Sequence, residues 1–191
     1  MLARRWRLAA ALAAAAALAL LALDLAFPLP AAARGASSGT LVVLALDGTP
    51  LRTWAGSDER LRRPVTPQAV SPLYREALLH YEDRWFEWHP GVNPAALVRA
   101  AWQWAAHGRI VSGGSTLTMQ VARILEPQHA GRNIGAKLRQ ILRALQLESH
   151  LSKREILTLY LNHAPMGGPV EGVEMAARSS LIHDRCIATQ A

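Results

Sequence analysis

The sequence predicts a mainly α-helical domain, and three observations carry that expectation. After Thr66, apolar residues recur at helical spacing in five segments, each opened by a recognisable start signal. Only one pair of short apolar runs reads as strand. The single long apolar stretch lies at the amino terminus, apart from those segments.

Taken in order, Arg4, Arg5 and Arg7 precede a run from Leu8 to Phe27 whose only charge is Asp24. That run of 20 residues is about what a helix needs to cross the hydrocarbon core of a bilayer. Arginines on its near side predict a cytoplasmic amino terminus and an outer remainder. A cleaved signal peptide competes, with small-residue sites at Ala31-Ala32-Ala33 and Gly35-Ala36-Ser37. Signal-peptide cores are usually about 7–15 residues, so length favours a retained anchor. A core helix is a third reading, but the Ala/Leu run has no amphipathic face. Residues 1–27 are therefore expected to be a cytoplasmic tip and transmembrane signal anchor.

Residues 28–64 read as a linker and a β-hairpin. Pro28 to Thr40 is rich in Ala, Pro, Gly and Ser, and Asp47-Gly48 separates Leu41–Leu46 from a second run ending at Trp54. Helical patterning follows over 65–179. Ser71-Pro72 starts a helix through Leu73, Ala77, Leu78 and Tyr81, and Asn93-Pro94 starts one that stops at His107-Gly108. Ser115 or Thr116 opens a third, ending near Pro127. Asn133 to about His150 is a fourth, with Ile134, Leu138, Ile141, Leu142 and Leu145 as its expected buried stripe. Ser152-Lys153-Arg154-Glu155 matches a capping box ahead of Ile156, Leu157, Tyr160 and Leu161.

Composition narrows the chemistry. The chain has 191 residues, a net charge of +7 and a pI near 10.7. An acidic partner is expected: nucleic acid, an anionic membrane surface or a phosphorylated substrate. The lone Cys186 excludes an intrachain disulfide and a cysteine metal cluster, and His80, His89, His107 and His129 lack metal-ligand spacing. No nucleic-acid motif accompanies the positive charge, so no nucleic-acid partner is expected.

Two stretches carry candidate chemistry. Glu82 and Asp83 follow a helix end, beside Trp85, Phe86 and Trp88. The negative helix end and apolar neighbours both raise a carboxyl pKa, which suits a general base or acid. Taken alone, a solvated acidic helix end accounts for these residues better. The second stretch is Gly113-Gly114 followed by a helix on which Thr116, Gln120 and Arg123 share one face while Leu117, Val121 and Ile124 take another. Free N–H groups, hydroxyls and a guanidinium suit an anionic oxygen, although an ordinary capped amphipathic helix has the same pattern. The glycine–lysine–serine arrangement of a Walker loop is absent. Lys137, Gln140 and Ala144 lie along one stripe of the fourth helix.

These stretches, quoted as E-D-R-W-F-E-W-H-P-G and G-G-S-T-L-T-M-Q-V-A-R, resemble the first and second motifs of the peptidoglycan glycosyltransferase domain of class A penicillin-binding proteins (glycosyltransferase family 51). L-S-K-R-E-I-L-T-L-Y-L-N is similar to the fourth, and the wording looks most like the family's 1C branch. The resemblance covers roughly Thr40 to Ala177. It implies a lysozyme-like helical glycosyltransferase domain, preceded by a single transmembrane helix and a short β-hairpin. Its substrates would be lipid II and the growing glycan strand, on the periplasmic or outer face of the cytoplasmic membrane, among inner-membrane lipids and other cell-wall synthesis proteins.

By the same resemblance Glu82 is the catalytic base. Asp83, Phe86, His89, Ser115, Thr116, Gln120, Arg123 and Lys137 fall on substrate-binding positions, and a divalent cation, usually Mg2+, can assist. Gln140 stands where the family's second catalytic glutamate is usual. A neutral amide there can orient a diphosphate or a metal-bound water but cannot neutralise a cation. After Ser179 the chain departs from the family, and no S-x-x-K or K-T-G transpeptidase motif occurs. Residues 65–179 thus read as a transferase domain incomplete at its carboxyl end, and 180–191 as an aberrant tail. The alternative is a truncated, non-catalytic membrane-bound remnant that binds lipid II or a cell-wall partner; a lysozyme-like hydrolase ranks third.

Overall fold

The computed structural model describes residues 2–35, 40–48, 50–107, 114–129, 131 and 133–179. Gly113 and the expected tail at 180–191 lie outside the described residues. The helices are α1 (Leu2–Ala26), α2 (Pro72–Glu82), α3 (Pro94–His107), α4 (Leu117–Leu125), α5 (Ile134–His150), α6 (Lys153–His163) and α7 (Val173–Ser179).

Caps set most of these boundaries. Asn93 accepts from the Ala96 N–H at 3.1 Å, and Asn133 from the Ala136 N–H at 2.7 Å. Ser152 and Glu155 form the predicted reciprocal capping box. Of the two candidates for the α4 cap, Thr116 takes the position and accepts from the Met119 N–H at 3.2 Å. Each of these bonds satisfies a first-turn N–H that the helix itself leaves without a partner.

α4 is the central helix. It packs on both α5 and α6, burying Leu117, Thr118, Met119, Val121 and Ala122. Phe86, Leu147, Ile156, Leu161 and Val173 join Leu117 and Val121 in the main core. Val92, Met119 and Ala144 form a smaller one beside it. Full burial of such a side chain stabilises by about 1.5–3 kcal/mol, so α4 is gripped from two sides. Its accessible face is the one carrying Gln120 and Arg123.

α5 departs from its predicted stripe. Ile134 is 80% exposed and Leu138 and Leu142 are also exposed, whereas Arg143, Ala144, Gln146 and Leu147 are buried. The contacts with α4 and α6 select the face bearing Ala144 and Leu147. Ile141 and Leu145 of the predicted stripe pack against the cluster of Val92, Met119 and Ala144, while Leu138 and Leu142 turn toward Phe27, where with Gly135 they line a shallow groove.

β1 (Leu41–Leu44) and β2 (Pro50–Trp54) pair antiparallel, and Gly48 takes φ +82° at the predicted Asp-Gly turn. A second sheet was not anticipated. β3 (Leu61–Arg62) pairs parallel with β5 (Val170–Glu171), which pairs antiparallel with β4 (Pro165–Gly167). These strands are too short to carry an alternating pattern, and their partners are far apart in sequence. Several α1 side chains are outside the described set, and among the described residues no helix is long and apolar enough to cross a membrane. The expected transmembrane helix is therefore not found. What the structure shows is that the carboxyl end of α1 is tied to α5 through Asp24, which receives the Gln146 amide at 2.6 Å.

Candidate active site

α2 ends on Glu82, and the chain turns through Asp83 to Gly91 against the start of α4. Two contacts press the loop there. Asp83, only 7% exposed, accepts the Leu117 N–H at 2.8 Å and meets His89 Nε2 at 3.0 Å. A carboxylate thus sits at the positive end of α4, where the helix dipole favours it. The Thr116 hydroxyl donates to the Gly91 carbonyl. Gly91 has φ +83°, and a Cβ there would lie 2.7 Å from the Ala144 carbonyl oxygen and 2.8 Å from Glu148 Cγ. Glycine alone lets the loop pass this close to α5. His89-Pro90-Gly91 forms a tight turn, in which the Gly91 N–H donates to the His89 carbonyl at 2.9 Å.

With the loop fixed, Glu82 lies over α4, and Gln120 Nε2 donates to its Oε2 at 2.7 Å. The phenols of Tyr74 and Tyr160 share its surroundings. Burial raises both phenol pKa values, and the Glu82 charge adds to the effect, pushing Tyr160 up to about 12. The three neighbouring aromatics do not jointly enclose the carboxylate, contrary to expectation. Phe86 is 1% exposed and belongs to the core, while Trp85 and Trp88 are exposed, Trp88 at 84%. Tight turns, Phe86 N–H to Asp83 O and Trp88 N–H to Trp85 O, send successive rings to different sides.

A cationic group forms the second half of the site. Lys137 on α5 donates to the Ser115 hydroxyl. Burial, and then the nearby Arg123 charge, hold its ammonium below the ordinary lysine range. A half-buried cation beside a second cation is unfavourable until an anion joins them. Gln140 lies one turn beyond Lys137 on α5 and is half-buried. Among the described hydrogen bonds none joins it to either half of the site.

The sequence-predicted residues thus fall into two sets and two outliers. Glu82, Asp83, His89, Thr116 and Gln120 form one connected group, and Ser115, Arg123 and Lys137 the other. Phe86 lies beneath the site, and Gln140 beside it. One supporting group escaped sequence reasoning. Glu148 accepts from Thr118 Oγ1 and from Lys153 Nζ, both at 2.7 Å, and Lys153 also donates to the His89 carbonyl at 2.6 Å. Lys153 further sits 4.7 Å from the Phe86 ring centroid. Its place in the capping box marked it only as a helix-start residue. Among the described residues no three His, Cys, Asp or Glu side chains gather to hold a metal.

Comparison with known proteins gives a consistent result. The transglycosylase family model matches residues 47–182. The chain is 61% identical to penicillin-binding protein 1C of Escherichia coli (strain K12) over 136 residues, which are 71% of this chain and 17% of that protein. It is 41% identical to penicillin-binding protein 1A of Aquifex aeolicus (strain VF5) over 102 residues, 53% of this chain and 14% of that protein. A biosynthetic peptidoglycan transglycosylase of Nitrosospira multiformis is 35% identical over 116 residues, 61% of this chain and 50% of that protein. The chain thus spans from 14% to 50% of the length of these relatives.

Proposed function

The chain belongs to the transglycosylase family, and we propose that it is a peptidoglycan glycosyltransferase that extends glycan strands from lipid II, with Glu82 as the base. One observation carries the reading. Gln120, which holds the Glu82 carboxylate of α2, and Arg123, whose charge acts on Lys137 of α5, lie one turn apart on the same helix, α4. Glycosyl transfer from a diphosphate needs both: a base for the incoming hydroxyl and positive charge for the leaving group.

In the proposed step Glu82 takes the proton of the acceptor sugar hydroxyl. That oxygen forms a bond to the anomeric carbon of the donor as the bond to the diphosphate oxygen breaks, and configuration inverts. The electron pair leaves with the diphosphate. Arg123 and Lys137 offset the charge that grows there, and the Ser115 hydroxyl adds a donor. Groups fixed in advance of charge development lower the barrier without reorganising during the reaction. Tyr74 and Tyr160, with their raised phenol pKa values, stay neutral beside Glu82 throughout.

The domain is proposed to act at the outer face of the cytoplasmic membrane, where its lipid-linked substrate resides. The exposed Trp85, Trp88, Val98 and Trp102 support this placement, because large apolar side chains beside an active-site loop suit a lipid interface. Glu82→Gln tests the assignment. It should abolish glycan synthesis from purified lipid II while preserving the fold and lipid II binding. Polymerisation at the wild-type rate by that variant would overturn the role of Glu82. The neutral Gln140 favours a second reading, a lipid II-binding domain without catalysis. Binding of lipid II by the wild-type chain with no polymer formed would select it.

A further inference from the structure

A second charged network lies outside the proposed active site, where α1, α4 and α5 meet. Arg143 is 4% exposed. Its guanidinium divides between three destinations. Nη2 donates to Oε1 of Glu126, the residue that ends α4. Nη1 donates to the Phe27 carbonyl at 2.9 Å and the Pro28 carbonyl at 3.3 Å, just past the end of α1. It also donates to Oε1 of Gln146. The Gln146 amide, itself buried, reaches Asp24 Oδ1 at 2.6 Å and the Phe27 carbonyl at 2.9 Å. His150 meets the other Asp24 oxygen at 2.7 Å.

On the α4 side Glu126 receives Arg139 at 3.1 Å as well as Arg143. Burial alone would raise its carboxyl pKa, but the two arginines outweigh that and hold it below the ordinary value. The Arg139 guanidinium also stands 5.1 Å from the Phe27 ring centroid. Here a side chain from α5 holds the two carbonyls just past α1 while its other nitrogen binds the side chain of the residue that caps α4. A guanidinium can do this because its donors form a rigid planar fork, which an ammonium does not.

We infer that Arg143 and Glu126 are positioning residues: one guanidinium holds the end of α1 to α5 and fixes the carboxyl end of α4, and thereby the placement of Arg123 and Gln120. Arg123 lies one turn before Glu126, so release of that end lets the cation pair drift apart. The inference rests on the transfer reading for the meaning of the cation pair. Its test does not depend on activity.

Two variants of the full chain separate the arms of the fork. Glu126→Leu combined with Arg143→Met removes the ion pair without leaving a buried charge alone. Trypsin cleavage after Arg34, followed by mass as the fragments that end at Arg34 (8–34 once Arg7 is cut), reports release of α1, because Ala33 just before it is buried in the core. Titration with inorganic pyrophosphate reports the cation pair. The double variant should cleave about tenfold faster after Arg34 and bind pyrophosphate about tenfold more weakly, with a melting temperature near that of the wild type. Arg143→Lys keeps a charge for Glu126 but not the fork. It should cleave faster while retaining most of the pyrophosphate affinity.

Unchanged cleavage or unchanged affinity in the double variant would overturn the inference. So would a double variant that is unfolded, since the pair would then serve the fold as a whole, and so would a wild type that fails to bind pyrophosphate. A wild type that binds pyrophosphate but polymerises nothing sinks the transfer reading and leaves the positioning role standing.

Discussion

Gln120 donates to Glu82 across 2.7 Å, joining the last residue of α2 to the middle of α4. The bond fixes one carboxylate oxygen and, in the proposed role of Glu82 as base, leaves the other for the acceptor proton. Gln120→Leu should lower kcat about 10- to 100-fold, the equivalent of about 1–3 kcal/mol for a hydrogen bond to a charged group. The melting temperature should stay within a few degrees. An unchanged kcat would show that Glu82 does not rely on this contact.

Lys137 gives a pH dependence with a definite sign. Burial and the Arg123 charge make its ammonium titrate below the ordinary lysine value. Transfer should therefore decline on the alkaline side before pH reaches about 10.4, and Lys137→Arg should move that decline upward. Stability runs the other way. The native state gives up this proton more readily than the unfolded chain, so the charge costs stability below the lowered pKa. That cost fades as pH rises through the window between the lowered pKa and about 10.4. Lys137→Met should accordingly keep or raise the melting temperature while cutting kcat at least about a hundredfold. A variant that melts well below the wild type would contradict the account of a strained cation.

Asp83 and Glu82 are adjacent carboxylates with different prospects. Asp83 is buried and caps α4 through the Leu117 N–H while holding His89. Asp83→Asn should cost about 2–3 kcal/mol of stability as well as activity, whereas Glu82→Gln should cost activity alone. Equal effects of both on urea unfolding would remove the distinction.

Gly91→Ala should destabilise by about 3 kcal/mol. The left-handed backbone contributes about 1–3 kcal/mol, and the added carbon must displace the Ala144 carbonyl or the Glu148 side chain. Urea unfolding measures it. A loss below about 1 kcal/mol would mean that the loop can lift off α5 freely.

What the sequence made legible was local. Asn93, Asn133 and the Ser152–Glu155 box announce helix starts because a cap acts within three residues of itself. The face shared by Gln120 and Arg123 follows from the helical period. On α5 only part of the buried face was legible. Ile141 and Leu145 pack inward as expected, but contacts with α4 and α6 also select Ala144 and Leu147 and leave Ile134, Leu138 and Leu142 exposed. Buried Arg143 and Gln146 gave no signal, since what makes their burial tolerable is Asp24, Phe27 and Glu126, brought together only by the fold. The Glu148–Thr118–Lys153 contacts were invisible for the same reason.

The short parallel pairing of β3 with β5 bears on the order in which the domain assembles. Arg62 donates to Glu171 at 2.7 Å across 109 positions of chain, and Leu61 donates to the Pro169 carbonyl at 2.9 Å. Long loops cost little extra closure entropy per added residue, but they close late and slow the search for the native topology. During synthesis on a ribosome, α2, α4, α5 and α6 can form and dock before Glu171 emerges. The segment from Asp58 to Arg63 gains its β5 partner only afterwards. Final closure of the domain is thus timed by its own carboxyl-terminal strand, like a clasp fastened last.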